Sequence, residues 1–323
     1  MGFERLYQAV CNKKFVDRIK STRYGFERFT EEQIRDKQLP SYKDENFLST
    51  IESETDNMMK QDWSTQRNLC YKFGSKQRDN FGEHDICPCC WVTVNRCYCN
   101  NFISVTGDDM NKPSPLLDDR KIKTNLCVYM HTREFYRSSN TAKVMLSSIE
   151  GSDLFISGLA KHEQELEAEY WRKTESGEKN VAILYPSEDA LTFEEYFKKQ
   201  SENKKPIEEF TLFVLDGTWG NARNLHRRVP SYVPRIKITP PTDYQNLFST
   251  LRQQTSQDRI STLEATNMGF REIYGQDSPT CNVINDNLKI MINEIKKLNG
   301  RKDEGFAPKR PVGEKKTKNR KKV

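Results

Sequence analysis

The chain has 323 residues, 35 % of them hydrophobic and 30 % charged, with 17 Phe and 13 Tyr. That is enough material for a sizeable core in about two or three domains, and too aromatic for general disorder. Its net charge of +6 is a property of one end: residues 301–323 hold ten Lys/Arg against Asp303, Glu304 and Glu314, so residues 1–300 are close to neutral. No apolar run reaches the roughly 20 residues of a membrane helix. The first twenty residues are broken by Glu4, Arg5, Lys13, Lys14 and Asp17, which excludes a signal-peptide core. Leu6 stands where a myristoylation signal wants Ser or Thr. A cytoplasmic or nuclear protein with no membrane partner is expected.

Residues 1–80 form an N-terminal extension of unreadable role, with a short helical pattern at Glu31–Lys37. Residues 81–105 are the Cys-rich part. Five of the nine cysteines fall between Cys87 and Cys99, as Cys87-Pro-Cys-Cys90 and Cys97-Tyr-Cys99. Two close pairs of thiolates can converge on one tetrahedral Zn(II), which makes Cys87, Cys90, Cys97 and Cys99 the expected ligands of a structural zinc knuckle. Cys89 is the spare, since it cannot easily share an ion with Cys90. A redox CxxC or a set of unliganded thiols are the alternatives, and neither explains the second pair. A polar loop follows, near Gly107 to Pro115.

From about residue 120 to 300 the pattern becomes α/β. Leu126–Met130, Val181–Leu184, Phe210–Leu215 and Arg235–Ile238 read as buried strands, and Thr141–Ile149, Lys161–Arg172 and Phe193–Gln200 as helices between them. This alternation implies a parallel sheet covered on both faces. Ser261 and Glu264 make a capping-box pattern for a helix over Thr262–Ile273. Ile284, Leu288, Met291, Ile295 and Leu298 form one apolar stripe on a last helix, Asn282–Leu298, more in keeping with core packing than with a dimer seam. Residues 301–323 are a basic, disordered tail, suited to phosphate contacts or an import receptor if it is more than a solvated end.

Four loops at predicted strand ends carry unusual residues: His131-Thr-Arg-Glu134 with Arg137…Asn140-Thr141, Tyr185-Pro-Ser187, Leu215-Asp216-Gly-Thr-Trp219, and Ser261-Thr-Leu-Glu264. In a parallel sheet ligands sit outside the carboxyl ends of the strands, so Asp216 is placed to meet a substrate. Gly217 and Gly220 let backbone approach a ligand. By residue type alone, Trp219 could stack on a ligand or fill the core, and His131 could be a catalyst or a hydrogen-bonded structural residue. The sequence has no GxGxxG after a strand, GxxxxGK[ST], HExxH or GxSxG, which disfavours dehydrogenases, P-loop NTPases, zinc proteases and serine hydrolases.

In their order, these motifs resemble the DTW-domain family, whose Asp-x-Thr-Trp signature is here Asp216-Gly-Thr-Trp219. The resemblance runs from about Cys87 to Ile273. It implies a tRNA-uridine aminocarboxypropyltransferase with S-adenosylmethionine as donor, on a SPOUT-like sheet with a C-terminal knot. On that reading Asp216, Thr218 and Trp219 are catalytic, with Asp216 a general base or an orienter of the uracil ring. Tyr185, Pro186, Ser187, Leu215, Gly217, Ser261, Thr262 and Glu264 hold the donor. His131, Arg133, Arg137, Asn140 and Arg223 contact RNA, with tRNA as the partner. Members often carry an Arg-Pro step between the cysteine pairs; here that interval is Trp91 to Arg96. An rRNA acceptor, SAM-dependent methyl transfer and a non-catalytic zinc-knuckle RNA-binding protein are the competing readings.

Overall fold

A computed structural model describes residues 87–298, apart from 88, 93–95, 136, 159, 203–206, 242–243, 245 and 252–259. The expected N-terminal helix at Glu31–Lys37 and the basic tail lie outside the described residues.

Six strands form one sheet: β1 (Asn111–Pro113), β2 (Lys121–Met130), β3 (Asp153–Ile156), β4 (Val181–Leu184), β5 (Glu209–Asp216) and β6 (Arg235–Ile236). The order is β1-β2-β5-β4-β6, and β3 shares with β1 the outer side of β2. β1 pairs antiparallel with Lys121–Lys123, while β3 runs parallel to Cys127–Met130. The remaining pairs, β2·β5, β4·β5 and β4·β6, are parallel. The sheet expected to be parallel is therefore mixed. Its antiparallel edge, β1, lies in the stretch read as a polar loop.

The helices are α1 (Ala142–Ser148), α2 (Ala160–Leu166), α3 (Arg172–Glu175), α4 (Phe193–Glu202), α5 (Trp219–His226), α6 (Thr262–Tyr274) and α7 (Pro279–Leu298). A π-helical segment, Glu167–Trp171, joins α2 to α3 without a break. The period of two along each strand assigns the layers. Leu126, Val128 and Met130 of β2 and Phe210, Leu212 and Val214 of β5 share a cluster with Phe193, Leu263, Phe270, Ile284, Leu288 and Met291 of α4, α6 and α7. Cys127, Tyr129, Phe213 and Leu215 point the other way, onto Leu166, Trp171, Ala222 and Leu225. Both faces are covered, as a buried parallel sheet requires. The Cys-rich segment belongs to the first layer, since Cys90, Trp91 and Tyr98 are buried in its cluster.

Register sets where the chemistry falls. Met130 lies opposite both Asp216 and Ile156, and Leu184 opposite Val214. The carboxyl ends of four strands thus finish at one edge, which His131, Ser157, Tyr185 and Asp216 occupy. The expected knot depends on the path from β6 to α6, which includes residues 252–259 outside the described set.

Candidate functional site

At the knuckle, Cys87, Cys90, Cys97 and Cys99 place their sulfur atoms within 4.8 Å of one another. The Sγ–Sγ separations are 3.7 Å for Cys87–Cys99, 3.7 Å for Cys90–Cys97 and 3.5 Å for Cys87–Cys97. A tetrahedron of Zn–S bonds of about 2.3 Å has edges of about 3.8 Å, so the four sulfurs fit such an ion. Disulfide sulfurs would stand at about 2.05 Å. Cys89 is buried beside the group but is not one of the four. The turn carries Trp91 at a left-handed φ of 55°. Its indole meets Phe135 edge-on at 5.3 Å, fixing the turn against the loop that follows β2.

Asp216, the last residue of β5, is the hub of the strand-end site. Its carbonyl accepts from the His131 amide at 2.9 Å, continuing the β2·β5 ladder past the strand end. One carboxylate oxygen accepts from Asn140 Nδ2 at 2.6 Å and the other from Thr262 Oγ1 at 2.7 Å. Three segments distant in sequence therefore meet on this carboxyl. Burial, and then the neighbouring Glu134, push its pKa up to about 6, and the two hydrogen bonds offset only part of that. A carboxyl titrating near neutrality at the carboxyl edge of a parallel sheet is equipped to take a proton.

His131 is buried, and burial first, then Arg133 and Arg228, lower its pKa to about 4. Its Nδ1 accepts from the Arg133 amide at 3.2 Å. The ring is neutral at pH 7 and carries its proton on Nε2.

The Asp216-Gly-Thr-Trp219 turn opens α5, with Thr218 as the N-cap accepting from the Asn221 amide. A Cβ on Gly217 would lie 2.9 Å from Asn221 Cβ and 3.2 Å from Ala222 N, so only glycine fits under this first turn. Trp219 is 38 % exposed, one of the largest apolar surfaces among the described residues. That favours a stacking surface over a core role.

Glu264 is 1 % exposed and makes the expected capping box with Ser261. Its other oxygen accepts from Tyr244 Oη at 2.9 Å and the Leu247 amide at 2.7 Å. It therefore latches Tyr244 and Leu247 onto the start of α6, rather than presenting a free carboxylate. Tyr185 stacks flat on His226, ring centres 4.0 Å apart. Ser187 follows in a tight turn, its amide bonded to the Tyr185 carbonyl, and Pro186 is exposed. The Leu215 side chain is buried in the second layer, so its backbone alone faces the strand-end edge.

The residues assigned to RNA divide. Asn140 is buried and its side chain is committed to Asp216, which makes it a positioning group. His131 is also buried but meets Asp216 only through its backbone amide, its ring accepting from the Arg133 amide. Arg137 forms an ion pair with Glu134 at 2.8 Å. Arg133 and Arg223 are exposed.

The sequence reading missed several groups that complete the site. Arg228 bonds Ser157 Oγ at 3.0 Å and faces Glu163 at 3.7 Å, and Glu163 accepts from Tyr129 Oη at 2.9 Å. Tyr244 was also missed. Lys143, 0 % exposed, is buried on α1 between the cysteine turn and Asn140. No short-range pattern marks any of them.

Comparison with curated proteins and with solved structures gives no match. A family model described as the DTW domain matches residues 84–296, a span that takes in the four sulfurs, the strand-end loops and the last two helices. With its signature residues gathered round one buried carboxyl, this chain belongs to the DTW-domain family, a family associated with tRNA modification.

Proposed function

We propose that the protein transfers the 3-amino-3-carboxypropyl group of S-adenosylmethionine to the ring nitrogen between the two carbonyls of a tRNA uridine. The observation that carries this reading is Asp216. It is a buried carboxyl with a pKa raised to about 6, held by Asn140 and Thr262 inside the family's signature turn. The uracil nitrogen must lose its proton as it forms the new bond, and a base of this strength at neutral pH suits that step. The carbon–sulfur bond to the aminocarboxypropyl group breaks, its electron pair stays on sulfur, and methylthioadenosine leaves.

The donor supplies a sulfonium whose three carbons are all electrophilic, so orientation selects which one is transferred. Turns Tyr185–Ser187, Leu215–Thr218 and Ser261–Glu264 border the same edge, where Tyr185 follows β4 and Thr262 bonds Asp216. This fits a nucleoside held in part by main-chain groups at the carboxyl ends of the strands. Trp219 offers a face for the uracil, and Arg133 and Arg223 offer phosphate contacts. Zinc in the knuckle serves structure, because four thiolates leave no open position. No helix among the described residues is long and apolar enough to cross a membrane. Work on tRNA in the cytoplasm or nucleus accords with the basic tail.

The test is incubation of the purified protein with unmodified tRNA and S-adenosylmethionine, followed by mass spectrometry of nucleosides and by-products. Aminocarboxypropyl-uridine with methylthioadenosine is expected. A methylated base with S-adenosylhomocysteine overturns the chemistry, and product on rRNA alone overturns the substrate.

A further inference from the structure

Lys143 is an anomaly of the first layer. It is 0 % exposed, on a helix whose seven residues are all buried. Burial of an ammonium is costly unless its donors are spent, and they are. Nζ donates to the carbonyls of Cys90 and Ser138, and lies 5.7 Å from the Trp91 ring centre and 5.9 Å from that of Tyr98. One lysine thus grips the ligand-bearing cysteine turn and the strand-end loop together.

The connection continues to the reacting edge. The Lys143 amide donates to Asn140 Oδ1 at 3.0 Å, and Asn140 Nδ2 donates to Asp216 at 2.6 Å. Because its oxygen is held by Lys143, the Asn140 amide is fixed with its NH2 toward the carboxylate. A second contact runs in parallel, from Trp91 in the cysteine turn to Phe135. Four thiolates on a divalent ion carry a net negative charge, and a buried ammonium against the turn offsets it.

We infer that the metal-holding knuckle and the Asp216 carboxyl form one mechanical unit, with Lys143 the positioning residue that joins them, so that loading the cysteines with metal sets the geometry of the strand-end site. Lys143 touches no reacting atom. Its side chain acts through the Cys90 and Ser138 carbonyls, while the backbone N–H of the same residue orients Asn140. The inference rests on the cysteines holding a metal, and is independent of which group is transferred.

The test uses the full chain, with bound zinc measured first. Wild type is then stripped with a chelator, and amide hydrogen exchange is followed by mass spectrometry. Stripping should speed exchange over 137–145 as well as 87–99, and leave 193–202 unchanged. Lys143→Met should release zinc to a competing chelator roughly 10- to 100-fold more readily, with faster exchange over 137–145. A chain that binds no metal, faster exchange confined to 87–99 on stripping, or a Lys143→Met protein that keeps wild-type zinc retention and exchange overturns the inference. If Lys143→Met does not fold, the stripped wild type decides alone. None of these readouts depends on turnover, so a failure of the transferase reading would leave them intact.

Discussion

Asp216→Asn should make the protein more stable and inactive at once, and the gain should depend on pH. The ordinary carboxyl value of 3.8 is raised to about 6 by burial and Glu134. A group with a raised folded-state pKa supports folding fully below its unfolded value. That support is lost as pH rises toward the folded one. From these two values, ionising Asp216 costs the folded state about 1.5 kcal/mol at pH 5 and about 3 kcal/mol at pH 8. Asparagine carries no such cost. It can also keep the local bonds, its oxygen accepting from Asn140 and its NH2 donating to the Thr262 hydroxyl, which accepts as well as donates. The stability difference between variant and wild type should therefore widen by about 1.5 kcal/mol from pH 5 to pH 8, or about 3–6 °C in Tm. Paired urea or thermal unfolding at the two pH values measures it, and taking the difference between the two proteins cancels every titration they share. A flat difference, or a wild type more stable than the variant at pH 8, would refute the argument that Asp216 is ionised against its surroundings. Full turnover in Asp216→Asn would remove its role as base.

Glu264→Gln places an NH2 against donors on one side of the latch, and should lower stability by about 2 kcal/mol or more in thermal unfolding. It should also weaken donor binding in calorimetry, because Tyr244 and Leu247 lose their anchor. Gly217→Ala must displace the first turn of α5, with an expected cost of about 1–3 kcal/mol by urea unfolding and reduced turnover. A wild-type rate there would show that the turn has slack. Trp219→Ala should leave stability within about 0.5 kcal/mol of wild type. Its binding of unmodified tRNA, read by filter retention or fluorescence anisotropy, should weaken about 5- to 150-fold, the loss of about 1–3 kcal/mol of base stacking. Unchanged RNA affinity would assign the indole to packing.

What could be read in the sequence is what short-range pattern carries. The short apolar runs Leu126–Met130 and Phe210–Leu215 located the central strands. The register that follows brought Asp216 and His131 to one edge, as an acid directly after a buried strand suggested. The Cys87–Cys90 and Cys97–Cys99 spacings named four ligands, because each pair is local. The capping box at Ser261 and Glu264 was legible for the same reason. By contrast, no helix was expected over Trp219–His226: Gly220, Asn221 and Asn224 are weak helix formers, and Thr218 announces the helix only as a cap. β3, four fully buried residues opening on Asp153, was not among the strands expected.

The larger omissions share one cause. Lysine is by type a surface residue, and nothing near Lys143 in the chain says otherwise. Its partner Cys90 is 53 positions away. Asp216 was found as a residue, but its chemistry comes from partners 76 and 46 positions distant, Asn140 and Thr262, and from a burial that all three segments create. Residue type and spacing can nominate a base. Only the assembled edge raises its pKa into the range where it works, and that same assembly makes ionised Asp216 costly enough for the Asn variant to reveal.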